Sequence, residues 1–166
     1  MRKIRNFLFF LFFLYGAGAL AAPPSVILLI SKRENLPLRQ AASQQLIGRF
    51  LVSNPDRTAF TVLISFEEGC NIRHFTTSNA LPLQIVTLGW NNGTGSGSTT
   101  LYNRALAGQD CIGVLQWTPP DPAPEPYATA YQFDLYADWN TPGKLVALAG
   151  IYRETINIVA MENITP

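Results

Sequence analysis

The sequence predicts an all-β protein, an antiparallel sandwich of about seven to nine strands, on three observations. Phe60, Val62, Ile64 and Phe66 share one parity while Thr61, Ser65 and Glu67 share the other, the period-two pattern of a strand with one buried face. Further short apolar or alternating runs recur along the chain, separated by Gly, Pro and Asn turn signals. No segment of useful length carries apolar residues at helical spacing. Many short strands with such turns pack as two layers, with a small closed barrel as the second choice.

Taken in order, the first element is the continuous apolar run 26–30, bounded by Pro23-Pro24 and by Lys32, Arg33 and Glu34, which reads as a buried strand. Residues 35–45 are polar and interrupted by Pro37, so they form a connection with room for a short helical turn at 39–45. Residues 45–53 and the alternating run from Phe60 make a hairpin across Asn54-Pro55-Asp56, where proline fixes φ. Glu68-Gly69 ends that second strand. Residues 83–90 form the next run, followed by the Gly93, Gly95, Gly97 loop and shorter strands at 98–102 and 112–117. Five prolines in the nine residues 118–126 enforce an extended surface connection. It leads into 127–136, where Tyr131, Phe133 and Leu135 alternate with Gln132 and Asp134. A turn at 139–143 and a closing strand at 151–161, rich in β-branched residues, complete the chain.

The N-terminus carries the pattern of an export leader. Arg2, Lys3 and Arg5 precede an apolar block at 7–14 that is too short to span a bilayer, and Ala19-Leu20-Ala21 supplies a small-residue cleavage site. Residues 1–21 are therefore expected to be a signal peptide, and 22–166 a single exported domain without a membrane span. The chain has 12 basic and 11 acidic residues; with the three leader cations removed, 9 against 11 leaves −2. That balance argues against nucleic acid, which requires a clustered basic face. In an oxidising compartment the two cysteines, Cys70 and Cys111, read as one structural disulfide.

Chemistry is sparse. His74 is the only histidine, no G-x-S-x-G elbow marks a nucleophile, and His74 is expected in a surface loop. Glu67 and Glu68 are adjacent, so on a strand they face opposite ways and mark its end instead of straddling a bond. The glycine loop lacks G-K-[ST] and a following helix, which excludes a phosphate cradle. Asp134, Asp138 and Asn140 lack the glycine and distal glutamate of a calcium loop. Asn92-Gly93-Thr94 and Asn163-Ile164-Thr165 fit the glycosylation pattern, a frequent chance match. The expectation is no catalytic residue, no metal and no cofactor. Trp90, Trp117 and Trp139 lie near strand ends beside amides or prolines; they either seal the core, the favoured reading, or offer a sugar-binding surface.

The closing segment, Ala149-Gly150-Ile151-Tyr152-Arg153-Glu154-Thr155-Ile156-Asn157-Ile158, follows A-G-x-Y-x-[DE]-T-[IV]-x-[IV] and resembles the last strand of bacterial pilin-type and spore-coat-U-like secreted proteins. Val52-Ser53-Asn54 with residues 60–65 resembles their central hairpin. The resemblance covers about thirty residues. It implies an immunoglobulin-like sandwich exported to the periplasm or cell surface, which acts in adhesion and assembles by strand addition with identical or related subunits, aided by a periplasmic chaperone. Val26, Leu28 and Ile30 would then be a donated strand, or else the first strand of the chain's own sheet, the simpler reading. Gly150, Tyr152, Ile156 and Ile158 would form the closing edge. The C-terminus departs from the pattern by running on through 161–166 past the alternating strand. The rival reading is a monomeric binding module for carbohydrate.

Overall fold

The computed structural model describes residues 22–30, 36–91, 96–120, 129–141 and 152–163. The leader at 1–21, the tip of the glycine loop at 92–95, most of the proline-rich connection at 121–128 and Gly150 lie outside the described residues. Among the described residues every regular element is a strand. They are β1 (Ser25–Ile30), β2 (Ala42–Ser53), β3 (Phe60–Phe66), β4 (Asn71–His74), β5 (Ala80–Asn91), β6 (Ser96–Asn103), β7 (Ile112–Trp117), β8 (Ala130–Trp139), β9 (Tyr152–Arg153) and β10 (Ile156–Glu162).

All pairings are antiparallel and fall into two sheets. The larger runs β1-β2-β8-β5-β4-β9, with β6 also paired to β5. The smaller is β10-β3-β7. Inward side chains of both form one core: Phe50 and Val52 of β2, Phe60, Val62, Ile64 and Phe66 of β3, Val86 and Leu88 of β5, and Tyr131, Phe133, Leu135, Ala137 and Trp139 of β8. The alternation at residues 60–66 thus places its even positions in the core, as the pattern requires, with β3 central in its sheet. β8 alternates without interruption over its whole length because it lies between β2 and β5.

One side of the molecule is closed by glycine. A Cβ on Gly113 would lie 2.7 Å from the Leu101 side chain, so β7 can approach β6 only without one. Gly97 lies flat under Trp90, whose ring would meet a Cβ at 2.5 Å. On that side Trp90, Trp117 and Phe133 pack edge to face in sequence, with ring centroids 5.4 Å and 5.3 Å apart.

Cys70 and Cys111 form the disulfide, their Cα atoms 5.7 Å apart. Cys70 is buried in the turn between β3 and β4 and Cys111 immediately precedes β7, so the bridge ties the larger sheet to the smaller. Both Gly69 and Cys70 have positive φ, 64° and 59°, which turns the chain sharply enough to carry β4 into the other sheet.

Several expectations need correction. The hairpin across Asn54-Pro55-Asp56 does not form: β2 pairs with β1 and β8 in the larger sheet and β3 with β10 and β7 in the smaller, so this turn carries the chain from one layer to the other. The helical turn at 39–45 does not form: β2 begins at Ala42, and Asp138 accepts hydrogen bonds from Gln44 N (2.7 Å) and Ser43 Oγ (3.1 Å) across a register shift, holding Gln44 at φ 52°. β8 continues through Trp139, placed in a turn by the sequence reading, because the indole is buried and Nε1 donates to Gln40 O at 2.9 Å. The strand β4 carries no period-two signal over its four residues and was not foreseen. The closing segment is two strands, β9 and β10, broken at Glu154-Thr155.

The bridge closes a separation of 41 residues, for which chain entropy gives about 4 kcal/mol. Replacing both cysteines with alanine should lower unfolding stability by about that amount in urea titration, with the fold retained by circular dichroism.

Candidate assembly edge

The two sheets differ in width, and on one side their edge strands are β1 and β10. β1 pairs with β2 in the register Val26↔Val52 and Leu28↔Phe50, so Val26 and Leu28 share the core-facing side with two fully buried residues. Leu28 is nevertheless 54% exposed. Opposite it, β10 pairs with β3 through Ile156↔Phe66, Ile158↔Ile64 and Ala160↔Val62, which puts those three side chains on the core face too, yet all remain only half buried. β1 and β10 approach to within 8 Å in Cα distance without pairing. Among the described residues, the edge of β10 away from β3 has no strand partner. On the outer face Ile27, paired with Leu51, is 50% exposed, and Leu29, in the bulge before Ile30, is 47% exposed, so the first strand is apolar on both faces and wet on both.

The residues named for assembly are therefore brought together in part. Val26, Leu28 and Ile30 form the edge of the larger sheet beside β2, the chain's own first strand in this structure. Ile156 and Ile158 lie on the core side of β10 as Val26 and Leu28 do on β1, whereas the bulge after Leu28 pairs Ile30 with Arg49 and turns it to the outer face, away from the parity that its spacing predicts. Tyr152 lies apart, in β9, with its ring edge-on to His74 at 4.9 Å.

His74 is not on the surface: it is 9% exposed, in β4, and its Nδ1 accepts from Thr76 N at 3.2 Å. Packing against Tyr152 explains the burial of a residue expected in a loop. The three tryptophans share no surface. Trp117 and Trp139 are buried, and Trp139 stands six residues along β8 from the Phe133 that touches Trp117, roughly 20 Å away at the rise of a strand. Trp90 is half buried against Trp117.

The polar residues of β8 are engaged within the fold. Asp134 takes a two-point pair from Arg49, Nε to Oδ1 at 2.5 Å and Nη2 to Oδ2 at 2.7 Å, and accepts from Tyr136 Oη at 3.2 Å. The Asp134 bond raises the Arg49 pKa, while burial followed by the Asp134 charge raises that of Tyr136. This network lies on the outer face of the larger sheet, across the β2–β8 pairing. Among the described residues no group of three or more His, Cys, Asp or Glu is placed to hold a metal ion.

Sequence reasoning assigned no role to Glu154, although its position is the acidic one of the closing motif. Its carboxylate accepts Glu68 N at 2.9 Å and Asn71 N at 3.1 Å, gripping the turn that contains Cys70 from the break between β9 and β10. Arg104 supports the same turn by donating to Leu83 O (2.8 Å), Cys70 O (3.2 Å) and Asn71 Oδ1 (3.1 Å). β10 is thus anchored at its start to the disulfide turn, which sets its register along β3.

Profiles of known protein families and curated proteins give no match to this chain.

Burial raises the Glu154 pKa, backbone N–H bonds from Glu68, Asn71 and Thr155 oppose that rise, and the nearby Glu68 charge adds to it. The folded chain consequently holds a proton that the unfolded chain releases. The resulting stability is complete below the ordinary glutamate range and is lost as pH rises through the elevated value. Glu154→Gln should abolish that segment of the pH–stability curve, measured by urea unfolding between pH 4 and 7. The variant should also cost roughly 1–3 kcal/mol at neutral pH, because its amide keeps one acceptor oxygen and turns an NH2 toward the other backbone N–H donor.

Proposed function

We propose that the chain is an exported, non-enzymatic, pilin-like surface or fibre subunit with an immunoglobulin-like sandwich, and that it assembles by strand addition at the β1–β10 side. The observation that carries this reading is Leu28, which points to the core side of its sheet and is still 54% exposed. A core-facing leucine is left wet only where the opposite layer stops short. The half-buried Ile156, Ile158 and Ala160 on β10 mark the same gap from the other sheet.

An extended segment laid along β10 would satisfy its open backbone edge, while alternate apolar side chains would cover Leu28 and the β10 isoleucines. Identical or related subunits supply such segments, and a periplasmic chaperone would protect the edge beforehand. The resemblance of residues 149–158 to secreted pilin-type proteins, the N-terminal leader pattern and the disulfide agree with export.

The reading is tested by adding a synthetic peptide of residues 26–30 with short polar flanks to the purified protein. At a hundredfold excess over its dissociation constant the peptide should stabilise the fold by about 2.7 kcal/mol. It should also dissolve higher assemblies seen by size-exclusion chromatography, and Ile158→Asp should eliminate both effects. A monomer whose melting temperature the peptide leaves unchanged, and which binds glycans, would replace this reading with the carbohydrate-binding one.

A further inference from the structure

The end of the sandwich remote from the disulfide holds three buried polar atoms that have no hydrogen-bond partner among the described residues: Asn54 Oδ1, Trp117 Nε1 and Tyr131 Oη. β3 runs from Phe60 toward the Cys70 turn, and β7 runs from beside Cys111 to Trp117, which pairs with Phe60, so roughly 20 Å of strand separates this end from the bridge. Asn54, Trp117 and Tyr131 are 0%, 7% and 1% exposed. Polar groups buried this deeply are almost always satisfied, by the protein or by ordered water.

The three belong to one neighbourhood drawn from both layers. Tyr131 pairs with Val52 in the larger sheet, and Asn54 N donates to Thr129 O at 2.7 Å, which makes Asn54 the next inward position after Val52. Trp117 enters from the smaller sheet, its ring 6.0 Å from that of Tyr131, which in turn lies 5.7 Å from Phe60. The 54–58 turn meets both layers. Asn54 Nδ2 donates to Thr58 O at 2.6 Å. Burial raises the Tyr131 pKa and the Arg57 guanidinium opposes that rise, which places the phenol beside a side chain of the same turn.

The chemistry of the three atoms selects the ligand. With Nδ2 committed to Thr58 O, the Asn54 amide offers the site an acceptor only, and the Trp117 indole is a donor only. The Tyr131 hydroxyl has a proton to give, and the neighbouring guanidinium, which carries donors alone, cannot take it; Arg57 Nη2 donates to Pro120 O at 3.3 Å. One acceptor and two donors form a set that no ion fits: an anion would meet the Asn54 carbonyl oxygen, and a metal cation would meet an N–H and an arginine. A water molecule matches it. One of its protons goes to Asn54 Oδ1 and its lone pairs accept from Trp117 and Tyr131, the three bonds that buried waters ordinarily make.

We propose that this end of the sandwich is a binding site for one ordered water, which joins Asn54 and Tyr131 on the larger sheet to Trp117 on the smaller. The 54–58 turn carries the chain from β2 in one layer to β3 in the other, and the water holds the start of that crossing to both layers at the end the disulfide does not reach. The site lies apart from the β1–β10 edge, so it stands or falls independently of strand addition.

A crystal structure of the purified, disulfide-bonded protein at a resolution that shows solvent, together with the melting temperature of Tyr131→Phe, tests the proposal. The expected density is a single ordered oxygen within hydrogen-bond distance of Asn54 Oδ1, Trp117 Nε1 and Tyr131 Oη. Removing a hydroxyl that bonds to this water forfeits the bond and leaves the water a partner short, so Tyr131→Phe should melt roughly 2–4 °C lower than the parent. A hydroxyl without a partner gives the opposite sign, because its loss relieves an unsatisfied buried group. A dry site, an ion in place of the water, a direct bond from Tyr131 Oη to Asn54 Oδ1, or a Tyr131→Phe variant that melts at or above the parent temperature would each overturn the proposal.

Discussion

The structure turns on the mismatch between two β layers. Residues 130–139 supply an uninterrupted alternating strand that accepts a neighbour on both sides, and the larger sheet grows outward from it to β1 on one flank and β6 on the other. Among the described residues the smaller sheet has β10, β3 and β7 to cover it. Glycines at 97 and 113 let the layers close tightly at the β6–β7 side, where aromatic rings fill the seam. On the opposite side Leu28 is left 54% exposed and the inward residues of β10 are only half buried. Burial of apolar area is the main favourable term in folding, so an uncovered strip of core is a standing drive toward association.

The position of that strip is fixed by covalent and polar constraints at the other end of β10. The Cys70–Cys111 bridge joins the layers beside the β3–β4 turn, and Glu154 grips the same turn through two backbone N–H groups just before β10 begins. Arg104 holds that turn from a third direction. With its start anchored, β10 cannot slip by one residue along β3, a shift that would turn Ile156 and Ile158 outward. The same anchoring fixes which side chains reach the outer face, where Val159, Leu63 and Val114 form one row.

Much of this was legible in the sequence because the relevant signals are local. The alternation at 60–66 and 131–135 and the two cysteines each involve residues near one another or a simple pairing, and each found its expected place; the turn at 54–56 forms, but it passes the chain between sheets and closes no hairpin. What escaped depends on distant partners. Asp138 converts residues 42–45 from a turn into a bulged strand, although nothing near Gln44 announces it. β4 exists because β5 and β9 pair with it, and four residues carry no period of their own. His74 is buried by Tyr152, which lies 78 positions away. The candidate site was half legible: residues 26–30 and the β10 isoleucines stood out by their apolar character. Burial was misjudged for β1, since five consecutive apolar residues read as fully covered, and sheet width is not written in any one strand.

The central claim, an unfilled edge on β10 next to an uncovered β1, is tested most directly by amide hydrogen exchange resolved to single residues. β8 lies between two strands and should protect its amides throughout. Along β10, residues whose N–H groups point to β3 should be protected, and the alternating ones should exchange orders of magnitude faster. Uniform protection along β10, equal to that of β8 in the monomer, would mean that something already fills the edge and would contradict the account.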